Sequence, residues 1–432
     1  MKKILLLSTI AALLPAFTSF AQKEISEIKF KPYGFVRNYA VFDSRACSAG
    51  TQDLYFFGPK DIRPGADGQD LNAIPAYRML ALSSRLGLNI TGFQYGNMDL
   101  SAKFEADFYT MNGSTAIFRL RQAYMKLVWD NLWNRENHKL SLLAGQAWHP
   151  MAVDNPYTIA LEAGAPYRPF ARTPQATLRL ELGRNFALTG SLLYQMQYLS
   201  TGPKGKSQDY IKHSLVPQFF AGAEFNNGGF TAKLGVDMLN IKPRTIDEAS
   251  QKKVSDRLMV VSPCAYLKYS TGAFSISAQS VLAESGEHLN FISGYGVSKI
   301  NEDQSREYTP MRSSVSNLSL KYGKKLQFMT MVGYIKLLGT KDPLYGEDGL
   351  TGKEFYYFNS ALGSNLNQMY RITPTIAYNW SKLTLALEYN LSSAQYGTYK
   401  EEGKVNSSNG LVTEGLHWVT NHRVVLMLKY AF

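Results

Sequence analysis

Residues 98–109 alternate without a break. Met98, Leu100, Ala102, Phe104, Ala106 and Phe108 fall on one side, and Asp99, Ser101, Lys103, Glu105, Asp107 and Tyr109 on the other. A period of two separates these sets onto opposite faces of a strand. The pattern recurs at 186–198, at 230–238 (Thr231, Lys233, Gly235 and Asp237 on the polar side) and at 383–391. Such segments run about 9–14 residues, whereas soluble strands have a mode of about 5–6 and a tilted strand needs about 9–11 to cross hydrocarbon. Length therefore selects a membrane barrel over a β-sandwich. The low mean hydropathy, −0.21, does not argue against it, because alternation averages lipid-facing and water-facing residues.

About 16 segments fit: 28–42, 77–90, 98–109, 116–129, 138–148, 175–183, 186–199, 215–225, 230–239, 258–269, 273–282, 311–322, 326–338, 368–379, 382–393 and 419–432. The phase breaks near Ala123, Pro32 interrupts the first segment, and 289–300 reads as a further strand or as loop. Turn-forming residues follow the even segments: Thr91-Gly92, Gly183-Arg184-Asn185, Asn226-Asn227-Gly228-Gly229, Thr271-Gly272, Gly323-Lys324-Lys325 and Asn379-Trp380-Ser381, with 130–137 the longest of this set. The connections after odd segments (43–76, 149–174, 200–214, 240–257, 283–310, 339–367, 394–418) are long, apart from 110–115. This rhythm is that of an all-β transmembrane antiparallel barrel with short periplasmic turns, long extracellular loops and both termini in the periplasm.

The two ends of the chain agree. Met1-Lys2-Lys3, an apolar run to Phe17 and Ser19-Phe20-Ala21 read as a signal peptide, 1–21, cleaved before Gln22, which leaves 22–432 as one barrel domain in a bacterial outer membrane. At the other end Val424, Leu426, Leu428, Tyr430 and Phe432 share a face, so Tyr430 and Phe432 read as the signal by which barrel-assembly machinery recognises a last strand. Trp129, Trp133, Tyr322, Tyr378, Trp380 and Tyr430 gather near segment ends, as an interfacial girdle requires.

Losing Lys2 and Lys3 takes the formal charge from +12 to +10. No Lys/Arg block marks nucleic-acid binding, and the excess suits outer-membrane lipid, lipopolysaccharide or a basic lumen. The six histidines (138, 149, 213, 288, 417, 422) show no metal spacing, no phosphate loop is present, and no sequence pattern pairs a serine with a histidine. Neither catalysis nor a cofactor is expected. Cys47 and Cys264 can pair in an oxidising compartment, although nothing in the sequence brings them together.

Tyr33-Gly34-Phe35-Val36-Arg37, Arg85-Leu86-Gly87-Leu88, Phe118-Arg119-Leu120-Arg121-Gln122-Ala123-Tyr124 and Leu143-Ala144-Gly145-Gln146-Ala147-Trp148, in that order, resemble the DcaP-like trimeric porins. The resemblance is concentrated in the first 180 or so residues. It implies a 16-stranded barrel, a homotrimer and passage of small anionic, often dicarboxylate, solutes. Some members carry a periplasmic coiled coil, for which about six residues before the first strand leave no room here.

Two groups of residues follow from this reading. Connection 149–174 is third among the outer loops, and by similarity to general porins it folds inward as a constriction. It carries Asp154, Glu162, Arg168 and Arg172, stiffened by Pro150, Pro156, Pro166, Pro169 and Pro174. The polar phase places Arg85, Arg119, Arg121, Arg179 and Arg371 on the lumen wall, joined by Lys233, Lys268 and Lys321. Glu105, Asp107, Glu181 and Glu388 share that phase, with Glu105 and Asp107 expected near the outer mouth. Guanidinium forks suit carboxylate and phosphate, which points to a diffusion pore for small polar solutes with a mild anion preference. The competing classes are an adhesin or receptor component and, less well supported, a barrel lipase.

Overall fold

The computed structural model describes residues 27–110, 116–358 and 362–432. The signal peptide 1–21 and most of the short connection 110–115 lie outside the described residues. Among the described residues the strands form a closed antiparallel barrel of 16. They are β1 (Lys29–Asp43), β2 (Ala76–Leu80 and Arg85–Tyr95), β3 (Met98–Tyr109), β4 (Ile117–Trp129), β5 (Lys139–Trp148), β6 (Arg172–Leu182), β7 (Phe186–Leu193) and β8 (Gln218–Asn227). The second half is β9 (Phe230–Ile241), β10 (Leu258–Thr271), β11 (Phe274–Glu284), β12 (Arg306–Gly323), β13 (Leu326–Thr340), β14 (Leu366–Ile372 and Thr375–Trp380), β15 (Leu383–Tyr396) and β16 (His417–Ala431). Each expected segment has its strand, and among the described residues no helix is long and apolar enough to cross a membrane.

The barrel closes where β1 pairs with β16, from Phe35 opposite Ala431 to Asp43 opposite Arg423. Two backbone bonds finish the seam, Gly34 N–H to the Phe432 carbonyl (3.1 Å) and Phe432 N–H to the Gly34 carbonyl (3.0 Å). Gly34 is required here: a Cβ would sit 2.5 Å from the Arg85 carbonyl oxygen and 2.7 Å from the Phe432 ring. The apolar phase faces outward, as the exposure of Phe104, Leu188, Leu234 and Leu385 shows, and Tyr322, Trp380 and Tyr430 stand exposed at the short-turn end.

Three readings need correction, and one left open is resolved. Thr91-Gly92 is not the turn after β2. The register shifts between Ile90 and Phe93, Gly92 adopts φ +99°, and the strand resumes to Tyr95, so the pair forms a bulge inside the strand. The wall at β7 stops at Leu193 rather than 199, where the Tyr194 N–H turns to the Pro174 carbonyl. Pro374, which has no N–H to donate, follows the end of the first part of β14. Residues 294–300 do form a strand, but it extends the β12 ladder above the wall rather than adding a seventeenth stave.

The phase break near Ala123 has a specific cause. Glu105 pairs with Gln122 and Ala106 with Leu120, so Arg121 is the extra residue of a bulge. Arg121 and Gln122 are consequently both buried on the lumen side. Substituting Gly34→Leu forces a side chain into backbone at the seam. The expected result is loss of the heat-resistant, fast-migrating form on semi-native gels, while Gly183→Ala, in an open turn, keeps it.

Candidate functional site

The third outer loop, 149–171, crosses the barrel interior and bonds to the far wall. Gln279 of β11 donates to the Met151 carbonyl (2.8 Å) and Asn317 of β12 to the Tyr167 carbonyl (3.0 Å). The Tyr157 N–H donates to Ser319 Oγ (2.6 Å). At the tip, Glu388 of β15 accepts from the Ile159 N–H (2.8 Å) and from the Thr158 hydroxyl (2.7 Å), and the Tyr39 hydroxyl donates to the Ile159 carbonyl (2.7 Å).

Arg371 on β14 holds two loops at once. Its Nη1 donates to Glu162 Oε1 and to the Ala165 carbonyl, each at 3.0 Å, and its Nε donates to Ser392 Oγ (3.0 Å). Nη2 reaches the Phe57 and Phe56 carbonyls of loop 44–75 at 2.9 and 3.3 Å. The Phe56 and Tyr167 rings cover the guanidinium at 4.6 and 5.0 Å. A buried charge is tolerable only when paired and fully hydrogen-bonded, and Arg371 meets both conditions.

The nine residues read as constriction or pore lining therefore separate. Arg85, Arg119 and Arg121 line a cavity of about 940 Å³ between the third loop and the wall. Arg371 and Glu162 are buried against each other and do not line it. Arg168 is buried within the loop, donating to Asn155 Oδ1 (2.5 Å) and to the Val153 carbonyl (3.0 Å). Arg172 lies buried beneath Trp148, its guanidinium 5.0 Å from that ring. Asp154 turns to the opposite wall, 2.6 Å from Lys268 Nζ, and Arg179 pairs with Glu224 (3.0 Å) in a separate pocket of about 230 Å³. The four charged side chains read as constriction residues, Asp154, Glu162, Arg168 and Arg172, thus all turn away from the cavity.

Glu105 and Asp107 do not stand above the arginines at the mouth. Asp107 is the ladder partner of both Arg85 and Arg119, at their own level. Asp107 accepts from Arg119 Nε (2.8 Å) and Arg121 Nη1 (2.5 Å), while Glu105 accepts from Arg121 Nε (2.9 Å) and from Gln122 (3.1 Å) and lies 3.5 Å from Arg85. The two carboxylates are buried behind the guanidiniums, so they fix the forks in place and the cationic edges face the cavity.

Three more cations on that wall were not singled out as pore lining from the sequence: Arg37, Lys103 and Lys429. Arg37 and Lys429 are ladder partners across the β1–β16 seam. Neither forms an ion pair among the described residues; Arg37 is held by the Ser83 hydroxyl (3.0 Å) and by the Phe35 and Tyr39 rings. Each sits on the lumen-facing phase of its strand, although Arg37 and Lys429 share theirs with apolar neighbours such as Phe35, Val41, Val425 and Met427. With Lys206, seven basic side chains line the cavity against one carboxylate, Glu105. The third loop contributes only neutral groups, among them Asn155, Thr158 and Leu161.

A second loop, 285–305, also folds inward. Asn290 lines the same cavity and donates to the Tyr55 hydroxyl, and the Leu289 carbonyl accepts the Phe170 N–H (2.9 Å). Both cysteines are free thiols.

No known family model and no curated protein sequence matches the chain. Solved structures do. The fold is similar to the outer-membrane channel DcaP of Acinetobacter baumannii, with 16% identity, 95% of this chain and 99% of that one covered, and a TM-score of 0.62. It is similar to OmpF of Salmonella typhi (9% identity, 95% and 100% covered, TM-score 0.53) and to an anion-selective porin from Comamonas acidovorans (12%, 94% and 100%, 0.50). The fold is that of the outer-membrane porins. The likeness read from the short motifs near the N-terminus thus extends in three dimensions over nearly the whole chain.

Two outcomes test these contacts. Arg371→Ala leaves Glu162 and three loop carbonyls without their donor. Breaking a buried pair costs about 3–5 kcal/mol, so the urea midpoint for unfolding in detergent should fall and single-channel current noise should rise. In loop 285–305, burial pushes the Glu287 carboxyl up to about 8, while bonds from Thr201 pull the other way. The folded state favours the neutral acid, so this contribution is whole below the ordinary 4.5, declines as pH rises and is gone above about 8. Glu287→Gln should therefore match the native protein in heat resistance at acid pH and exceed it above pH 8.

Proposed function

We propose that the protein is a passive outer-membrane porin that passes small hydrophilic solutes and prefers anions. One observation carries the preference: seven basic side chains and one carboxylate border the cavity beside the inward-folded loop. Like charges focused in a low-dielectric channel raise the local concentration of counter-ions, and the pore-lining charges set which ion enters. The third loop acts in this reading as the constriction, with Arg85, Arg119 and Arg121 on the facing wall. Arg37 and Lys429 contribute most to the net field, because no carboxylate offsets them. Solved porins and channels of the same fold, one of them named as anion-selective, support the reading. It invokes no catalytic step.

The same proposal includes export through cleavage after Ala21, insertion among outer-membrane lipid and lipopolysaccharide by the barrel-assembly machinery, and a homotrimer, which the family resemblance implies. Planar-bilayer recordings in a salt gradient test it. The native protein should give an anion-signed reversal potential. The double substitution Arg37→Gln/Lys429→Gln should bring that potential toward zero with conductance of the same order. A cation-signed potential in the native protein overturns the preference, and absence of any conductance overturns the pore.

A further inference from the structure

His149, Asp237 and His288 come from three elements and meet in the barrel interior, each almost wholly buried. His149 is the first residue of the constriction loop, Asp237 stands on β9 and His288 lies in the inward turn of loop 285–305. Nε2 of His149 is 3.2 Å from Asp237 Oδ1, and Nε2 of His288 is 2.7 Å from Oδ2. Gln218 of β8 donates to Oδ1 as well (2.8 Å). The other titratable groups near the trio are Cys264 on β10 and Glu287, next to His288 and bonded to Thr201. One wall carboxylate thus tethers the roots of two of the loops that border the cavity.

The remaining ring nitrogens decide what a further proton would do. Nδ1 of His149 accepts the Met151 N–H (3.1 Å), so the bonding pattern puts the proton of a neutral ring on Nε2, facing Asp237. Nδ1 of His288 is buried with no hydrogen-bond partner among the described residues. A second proton on His149 must occupy the atom that now accepts from Met151, setting one N–H against another. A second proton on His288 places a donor where no acceptor waits. The Nδ1 surroundings set the structural consequence of that proton.

We propose that this trio is an acid-operated latch: protonation of His149 releases the Met151 turn at the root of the constriction loop, and protonation of His288 loosens loop 285–305, so that mild acid destabilises the open channel. Imidazole is the side chain that most readily gains a proton under mildly acid conditions, so the two rings are the groups of the trio that acid addresses. The inference goes beyond the solute preference and is independent of it.

The test compares the native protein with the double variant His149→Asn/His288→Gln at about pH 7.5 and about pH 5. In His149→Asn the amide oxygen stands where Nδ1 stood and can still accept the Met151 N–H. In His288→Gln the amide still reaches Asp237, and neither amide titrates. Losing one buried hydrogen bond shifts an equilibrium by roughly fivefold, so closing events in native single channels should rise about that much at acid pH, and in the double variant they should not. Equal closing of the native channel at both pH values, or acid closing that persists in the variant, overturns the latch. Hydrogen–deuterium exchange of segment 149–156, corrected for intrinsic rates, reads the same release without requiring conduction. Faster exchange at acid pH in the native protein alone supports the latch even if the pore reading fails, and no difference between the two proteins rejects it.

Discussion

Hydrocarbon offers no partner to an N–H or a carbonyl, so every backbone group of a membrane-crossing strand must be satisfied by a neighbouring strand. That constraint makes the β1–β16 seam the contact on which the rest depends. The ladder from Phe35–Ala431 to Asp43–Arg423, finished by Gly34 and Phe432, removes the last two open edges. Once the edges are gone the alternation acquires an inside and an outside, and the charged side chains that the wall buries face the lumen.

A lumen filled with charge brings its own requirement. Buried ions destabilise unless each finds a counter-charge and enough hydrogen bonds. The protein meets it in two ways. On one side, Glu105 and Asp107 sit behind Arg85, Arg119 and Arg121, with a bulge at Arg121 aiming two consecutive residues inward. On the other, Arg371 binds Glu162 and the carbonyls of two loops and draws them across the interior. The first arrangement leaves cationic edges facing open space and the second leaves none, so residues of similar chemistry became a cavity wall in one place and a loop anchor in the other.

The inward loops join the two sides. Loop 149–171 is held along its length by β11, β12, β14 and β15, and loop 285–305 is held by Asp237, Tyr55 and Phe170. The cavity is what these anchors leave over. Its charge reflects which cations the loops left uncovered rather than the total number of basic residues on the wall.

The sequence by itself determined the barrel, its approximate strand number and the lumen-facing phase of most wall segments, because a period of two and the short-then-long rhythm of connections are local properties of the chain. Arg37, Lys103 and Lys429 were legible on that phase, though they were not singled out. The phase break at Ala123 was visible too, but its meaning as a bulge that turns both Arg121 and Gln122 inward needed the register of the neighbouring strand. Tertiary structure alone decided which charges face open space, that Arg168, Arg172, Glu162 and Arg371 are buried, and that His149 and His288 share one carboxylate. Those outcomes depend on contacts between residues up to a few hundred positions apart, and a loop's path across the lumen is set by where it finds hydrogen-bond partners on the far wall, which no local pattern records.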